Sequence, residues 1–129
     1  MTSCFNDYEI QHLDRDALEA LQLIRFKKIV KQALKTEFYK QRLGSVGIKD
    51  QSDITHINDI TKIPFTTKED LRDTYPYGLL AVDKEEVVRM HASSGTTGKP
   101  TVIFQTQTDL DRWTNLTVRS LLVTGCTKK

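Results

Sequence analysis

A chain of 129 residues, with 28% charged and 38% hydrophobic side chains, has the size of one small domain. Its 19 Lys and Arg against 17 Asp and Glu leave a net charge of +2, too small an excess to neutralise a run of phosphates, so nucleic acid is not an expected partner. No stretch reaches the roughly 20 apolar residues of a membrane span, and the first residues lack the basic and then apolar regions of a signal peptide, so no membrane partner and a cytoplasmic location are expected.

The first strong pattern covers residues 14–43, rich in Leu, Ala, Lys, Glu and Gln. Leu23, Phe26, Val30 and Ala33 recur at three- and four-residue steps and predict an amphipathic helix. Lys27, Lys28, Lys31 and Lys35 share its polar side with acidic and neutral residues, which favours a solvated face over a membrane-surface helix. Thr36 and Glu37 interrupt the run, and Phe38, Tyr39 and Leu43 form a second apolar patch ending at Gly44.

Residues 45–62 are predicted to be a polar connector with short apolar insertions at Ile48, Ile54, Ile57 and Ile60, mostly loop with one helical turn. Thr66 and Glu69 then have the spacing of a capping box opening a short helix through Leu71. Pro76 and Gly78 are expected to end that helix and turn the chain. Asp70, Asp73 and Tyr75 read as a solvated helix end rather than a catalytic acid cluster.

The chemistry concentrates in residues 86–125, predicted as strand, loop, strand and helix. A β-branched run from Glu86 to His91 leads into Ser93-Ser94-Gly95-Thr96-Thr97-Gly98-Lys99-Pro100, and Thr101-Val102-Ile103-Phe104 follows as a second strand. Gly95 and Gly98 allow backbone N–H groups to turn inward as an anion-binding nest, Ser93, Ser94, Thr96 and Thr97 add hydroxyl donors, and Lys99 supplies a point charge. A Walker A loop is disfavoured: two residues rather than four separate the glycines, Pro100 stands where the Mg-binding hydroxyl belongs, and strand rather than helix follows. Composition alone leaves an ordinary Ser/Thr/Gly hairpin loop equally open.

Beyond the second strand, Thr106 or Thr108 is placed to cap a helix carrying Leu110, Trp113, Leu116, Ser120 and Val123, with Gly125 to end it. Trp113 is expected to take a core position against the neighbouring sheet rather than to stack on a base, and His91 and Arg89 to serve as structural neighbours of the loop. Cys4 and Cys126 lie near opposite ends with no CxxC pair and no His cluster at metal-ligand spacing, so free thiols and no metal site are expected.

The order of residues 93–100 resembles the phosphate-binding signature of the adenylate-forming superfamily. Phe38-Tyr39, the run from Lys62 to Arg72, Tyr75-Pro76-Tyr77-Gly78 and Arg89-Met90-His91-Ala92 narrow the resemblance to the phenylacetate–coenzyme A ligase family, of which only the N-terminal portion is matched. Phe104-Gln105-Thr106 departs from the Gly-Tyr-Thr of that family. The resemblance implies an α/β (mixed) fold, with residues 1–129 forming an incomplete piece of the AMP-binding N-terminal domain. It implies an acid–thiol ligase using ATP, magnesium and coenzyme A on an aryl carboxylate. Ser93, Ser94, Gly95, Thr96, Thr97, Gly98 and Lys99 would hold the β- and γ-phosphates.

The resemblance assigns no catalytic residue within this stretch and leaves the acid pocket, ribose site and catalytic lysine to the remaining portion of such a ligase. The strands beside the loop are therefore expected to lack sheet neighbours, and the chain alone to be a poor ligase. Two alternatives remain at this level. One is a non-catalytic helical interaction module, with a homodimer formed through residues 14–43. The other is a free-standing nucleotide-binding module.

Overall fold

The computed structural model describes residue 10, residues 12–93 and residues 100–126. Helix α1 spans Arg15–Ala33 and opens on Asp14, whose side chain accepts from the Ala17 N–H at 2.8 Å. Its buried residues are Phe26 and Val30, two of the four stripe positions read from the sequence. Lys28, Lys31 and Lys35 are exposed, as a solvated face requires.

Thr36 both stops α1 and starts the next helix. Its hydroxyl donates to the Ala33 carbonyl at 2.9 Å and accepts from the Tyr39 N–H at 3.3 Å, capping α2 (Glu37–Gly44). The chain reverses after α2 through Gly47, whose φ of +82° is natural only to glycine, and the Ile48 N–H reaches the Leu43 carbonyl at 2.9 Å. Gly47, not Gly44, thus carries the conformational demand at this helix end.

The stretch expected to be plain connector contributes to the core. It contains two 3-10 turns, Gln51–Asp53 and Ile57–Lys62. Asp53 accepts from the N–H groups of Lys49 and Asp50, and Asp59 from those of Thr55 and His56, all at 2.8 to 2.9 Å. With those backbone donors satisfied, the intervening apolar side chains can leave water. Ile54 is 0% exposed and Ile48 is buried, and together with Phe26, Val30 and Leu43 they form the core cluster. Burying a side chain such as Ile54 contributes about 1.5–3 kcal/mol.

Helix α3 (Lys68–Asp73) begins one residue later than predicted. The capping box joins Thr67 to Asp70, with Thr67 N–H to Asp70 Oδ2 at 2.7 Å and Asp70 N–H to Thr67 Oγ1 at 3.2 Å. Thr66 is engaged elsewhere, its hydroxyl 2.7 Å from that of Tyr39, and Asp70 is held in place by Arg42. Past the helix, the Gly78 N–H donates to the Thr74 carbonyl at 2.8 Å. A Cβ on Gly78 would lie 2.7 Å from Thr74 Cβ and 2.8 Å from that carbonyl oxygen, so close approach is what demands glycine there.

Strands β1 (Val87–Ser93) and β2 (Thr101–Thr106) pair antiparallel, with Met90 opposite Phe104, His91 opposite Ile103 and Ser93 opposite Thr101. A register irregularity lies between Val87 and Arg89. Among the described residues this two-stranded ladder is the whole sheet. Helix α4 (Gln107–Val123) follows at once, capped by Thr106 rather than Thr108: Thr106 N–H bonds Asp109 Oδ2 at 2.9 Å, and Asp109 N–H bonds Thr106 Oγ1 at 3.2 Å. It closes at Gly125, where φ is +86°.

The hairpin and α4 leave apolar surface in water, as the sequence led us to expect of a sheet without neighbours. Val88, Met90 and Ile103 are each more than half exposed, as are Leu116, Leu122 and Val123 on α4. No helix among the described residues is long and apolar enough to cross a membrane.

Candidate functional site: the mouth of the β1–β2 hairpin

The ladder brings the two ends of the Ser/Thr/Gly segment together. Ser93, the last residue of β1, stands opposite Thr101, the first of β2, so residues 94–100 leave and re-enter the sheet at one place. Of the seven positions read as phosphate-binding, Ser93 is described and is exposed at the strand end. Ser94, Gly95, Thr96, Thr97, Gly98 and Lys99 lie outside the described residues.

Both faces of the hairpin are braced near this mouth. On one face Phe104 stacks on Tyr77, with ring centroids 5.3 Å apart and planes 22° from parallel. Lys84 Nζ sits 4.0 Å from the Tyr77 centroid, a cation–π contact. On the other face His91 meets Trp113 of α4 edge-on at 6.1 Å. The core position expected of Trp113 is not found: it touches the sheet edge-on at His91 but stays 51% exposed, because nothing among the described residues covers that side of α4. Arg89, Leu110, Trp113, Thr114, Thr117 and Val118 border a groove of about 230 Å³ between β1 and α4.

A wider cleft of about 1280 Å³ runs between the helical unit and the hairpin, with Val30 and Leu43 on one wall and Phe104 and Leu116 on the other. Gln32 of α1 spans toward the hairpin's approach, donating from Nε2 to the Ala81 carbonyl at 2.6 Å. The helical unit is itself cross-tied by Arg42. Its Nη1 and Nη2 hold Asp70 Oδ2 and Oδ1 at 2.8 and 2.9 Å, Nη1 also donates to the Phe65 carbonyl at 2.6 Å, and the guanidinium lies 4.5 Å over the Phe38 ring.

Electrostatics divides these carboxylates by role. The Arg42 guanidinium, followed by the Thr67 N–H, holds the Asp70 carboxyl below its ordinary range. Asp70 is therefore not part of a solvated helix end, although Asp73 and Tyr75 are exposed as expected. The Lys62 ammonium, then the N–H groups of His56 and Thr55, push Asp59 down further. The backbone N–H of Thr106 lowers Asp109 in the same way. Each of these acids is engaged in structure. None is held in the raised, protonated state that a general acid at neutral pH requires.

One polar group at the mouth lacks a partner. Thr101 is 9% exposed and its Oγ1 makes no hydrogen bond. Sequence reasoning missed Thr101, Arg42 and the Tyr77–Phe104 stack. Tyr77 lay within a motif already quoted, but its pairing with Phe104 spans 27 positions and leaves no periodic trace. Cys126 is a free, exposed thiol, as expected, while Cys4 lies outside the described residues.

The architecture resembles that of a coenzyme A ligase. The solved structure of 2-hydroxyisobutyryl-CoA ligase, in complex with 2-HIB-AMP and CoA in the thioesterification state, superposes with a TM-score of 0.66 at 25% identity, over 75% of this chain and 22% of that one. The sequence narrows the class to the phenylacetate–coenzyme A ligase family, whose N-terminal portion this chain matches. It is 50% identical over 111 residues to the phenylacetate–coenzyme A ligase of Pseudomonas putida, covering 85% of this chain and 25% of that ligase. It is 46% identical over 115 residues to that of Escherichia coli, covering 88% and 26%, and 46% identical over 118 residues to that of Thermus thermophilus, covering 91% and 26%. The chain thus spans about a quarter of the length of the relatives it matches. No family model matches it.

Proposed function

We propose that this chain is the phosphate-binding portion of an ATP-dependent aryl-acid coenzyme A ligase of the phenylacetate type, acting through an acyl-adenylate in the cytoplasm. The observation that carries the reading is the 50% identity with the Pseudomonas putida ligase over 111 residues, joined to a ladder that closes directly on the phosphate motif through Ser93 and Thr101.

The donor set suits a polyphosphate. Ser93, Ser94, Thr96 and Thr97 offer hydroxyls, Gly95 and Gly98 leave the backbone N–H groups accessible, and Lys99 offers a mobile charge. The unpartnered Thr101 hydroxyl at the same mouth fits a site with room for one more acceptor. In this reading magnesium would arrive with the triphosphate and help neutralise its charge. ATP would supply the adenylyl group that activates the carboxylate, with pyrophosphate leaving, and coenzyme A the thiol that accepts the acyl group as AMP departs.

This chain's own contribution is then positioning and charge neutralisation. Hydroxyls, amides and Lys99 would hold the β- and γ-phosphates, and the paired strands hold the two ends of that segment at Ser93 and Thr101. Within this reading the described stretch contributes no nucleophile or base, and the isolated chain is inactive until joined to the acid pocket and catalytic lysine of a whole ligase. The test is phenylacetate-dependent exchange of pyrophosphate into ATP by a full-length ligase containing this sequence. Exchange that collapses on Lys99→Ala is the expected result, and an absence of exchange with any aryl acid overturns the proposal.

A further inference from the structure

The wide cleft between the helical unit and the hairpin has a chemistry that the phosphate reading does not use. Its charged lining residues are Arg25 and Lys28 on α1, Arg112 and Arg119 on α4, and the acids Glu86 and Asp109. Both acids are engaged locally, Glu86 accepting from the Asp83 N–H at 3.2 Å and Asp109 closing the Thr106 cap. Arg25 and Lys28 are exposed, and neither forms an ion pair among the described residues. The cleft therefore carries an excess of positive charge, supplied from both walls.

Apolar surface faces the same space. Ile29 of α1 and Leu116 of α4 are each more than half exposed, and both line the cleft. Large apolar side chains left in water on facing walls mark a surface that something covers. At about 1280 Å³ the space exceeds the roughly 300–1,000 Å³ of a small-ligand pocket, so a length of polypeptide suits it better than a metabolite. A lipid surface suits it poorly, because Phe26 and Val30, the apolar stripe that α1 would insert, are buried in the core.

We infer that this cleft is the docking groove for an acidic segment with apolar anchors that belongs to the remaining portion of the ligase. Its carboxylates would meet Arg25 and Lys28, and its apolar side chains would cover Ile29 and Leu116. This chain spans about a quarter of the length of its relatives, so a ligase of that length carries the occupant on the same polypeptide, at an effective concentration that a separate partner does not reach. The inference rests on the reading of this chain as part of a longer ligase and on nothing in residues 94–99.

The experiment places Arg25→Glu with Lys28→Glu in the 129-residue chain and in a full-length ligase containing this sequence, and compares melting midpoints at low and high salt. Lys40→Glu, which reverses an exposed cation of α2 outside the cleft, is the control. In the 129-residue chain the double variant should melt within about 1 °C of the parent, because both side chains are exposed and unpaired. In the full-length ligase it should melt about 3 °C or more below the parent. High salt should narrow that gap, and the control should show none.

Equal midpoints for the parent and the double variant in the full-length ligase overturn the inference. An equal drop at both lengths means that the two cations hold this chain itself together, and overturns it as well. So does a drop of the same size for Lys40→Glu in the full-length ligase, which would be a general effect of charge. Phenylacetate-dependent pyrophosphate exchange on the same full-length samples judges the ligase reading separately: a melting difference without exchange keeps the groove and sinks the activity, and exchange without a melting difference does the reverse.

Discussion

Arg42 and Asp70, 28 positions apart, meet through both guanidinium nitrogens and both carboxylate oxygens, at 2.8 and 2.9 Å. The contact locks α2 to the start of α3, and because Asp70 also closes the Thr67 capping box, one carboxylate serves two junctions.

Removing that carboxylate should therefore loosen both. Asp70→Asn is expected to lower the melting temperature by about 5 °C, and Arg42→Lys to lower it nearly as much because an ammonium cannot reproduce the two-pronged contact. Thermal melts followed by circular dichroism check this. Equal melting temperatures for the parent and both variants would show that the contact is dispensable.

Acid should find the same groups. Asp59 and Asp70 are held below the ordinary carboxylate range by Lys62 and Arg42 and by backbone N–H groups. A carboxylate whose folded value is depressed contributes stability that is fully present above its unfolded value, near pH 4, and that is lost as pH falls toward the folded value. Stability should thus hold from pH 7 to about 5 and decline below about 4. Asp59→Asn should cost stability at pH 7, with the gap to the parent narrowing at pH 3. Urea denaturation at the two pH values measures it.

The core offers a third test. Ile54 is wholly enclosed by a cluster that includes Phe26, Val30, Leu43 and Ile48. Ile54→Ala should cost about 2–5 kcal/mol by lost burial and cavity formation, a large fraction of a small domain's stability. Denaturant midpoints would reveal it, and a loss under 1 kcal/mol would mean that the site collapses around the gap.

Gly78→Ala sets a Cβ against the Thr74 carbonyl oxygen at 2.8 Å, so the turn must open. The expected cost is about 1–3 kcal/mol, accompanied by a change in the near-ultraviolet circular dichroism of the adjoining Tyr77. An unchanged spectrum and midpoint would show that the turn has slack.

The elements that could be read from the sequence were those announced by local signals. The Phe26 and Val30 spacing is helical, Thr36 marks the break between two helices, Thr106 caps the last one, and the β-branched runs on either side of residues 94–100 are strands. The one-residue error at Thr66 came from two adjacent threonines with two adjacent acids three positions on; Arg42 and Tyr39, distant in sequence, decide between them. Ile48 and Ile54 looked like insertions in a loop because their burial depends on acidic side chains turning back on the backbone, which leaves no hydrophobic period. The Ser/Thr/Gly segment was legible as a string of residue types. The burial of Thr101 was not, since it depends on what packs over the sheet.

The chain holds a single tryptophan, and it lies edge-on to His91 at the junction of β1 and α4. Its emission therefore comes from one known spot, a few residues along the strand from Ser93. Any event that separates that helix from that strand will register optically without an added label, whereas unfolding confined to the Ile54 cluster will pass unseen by the same probe.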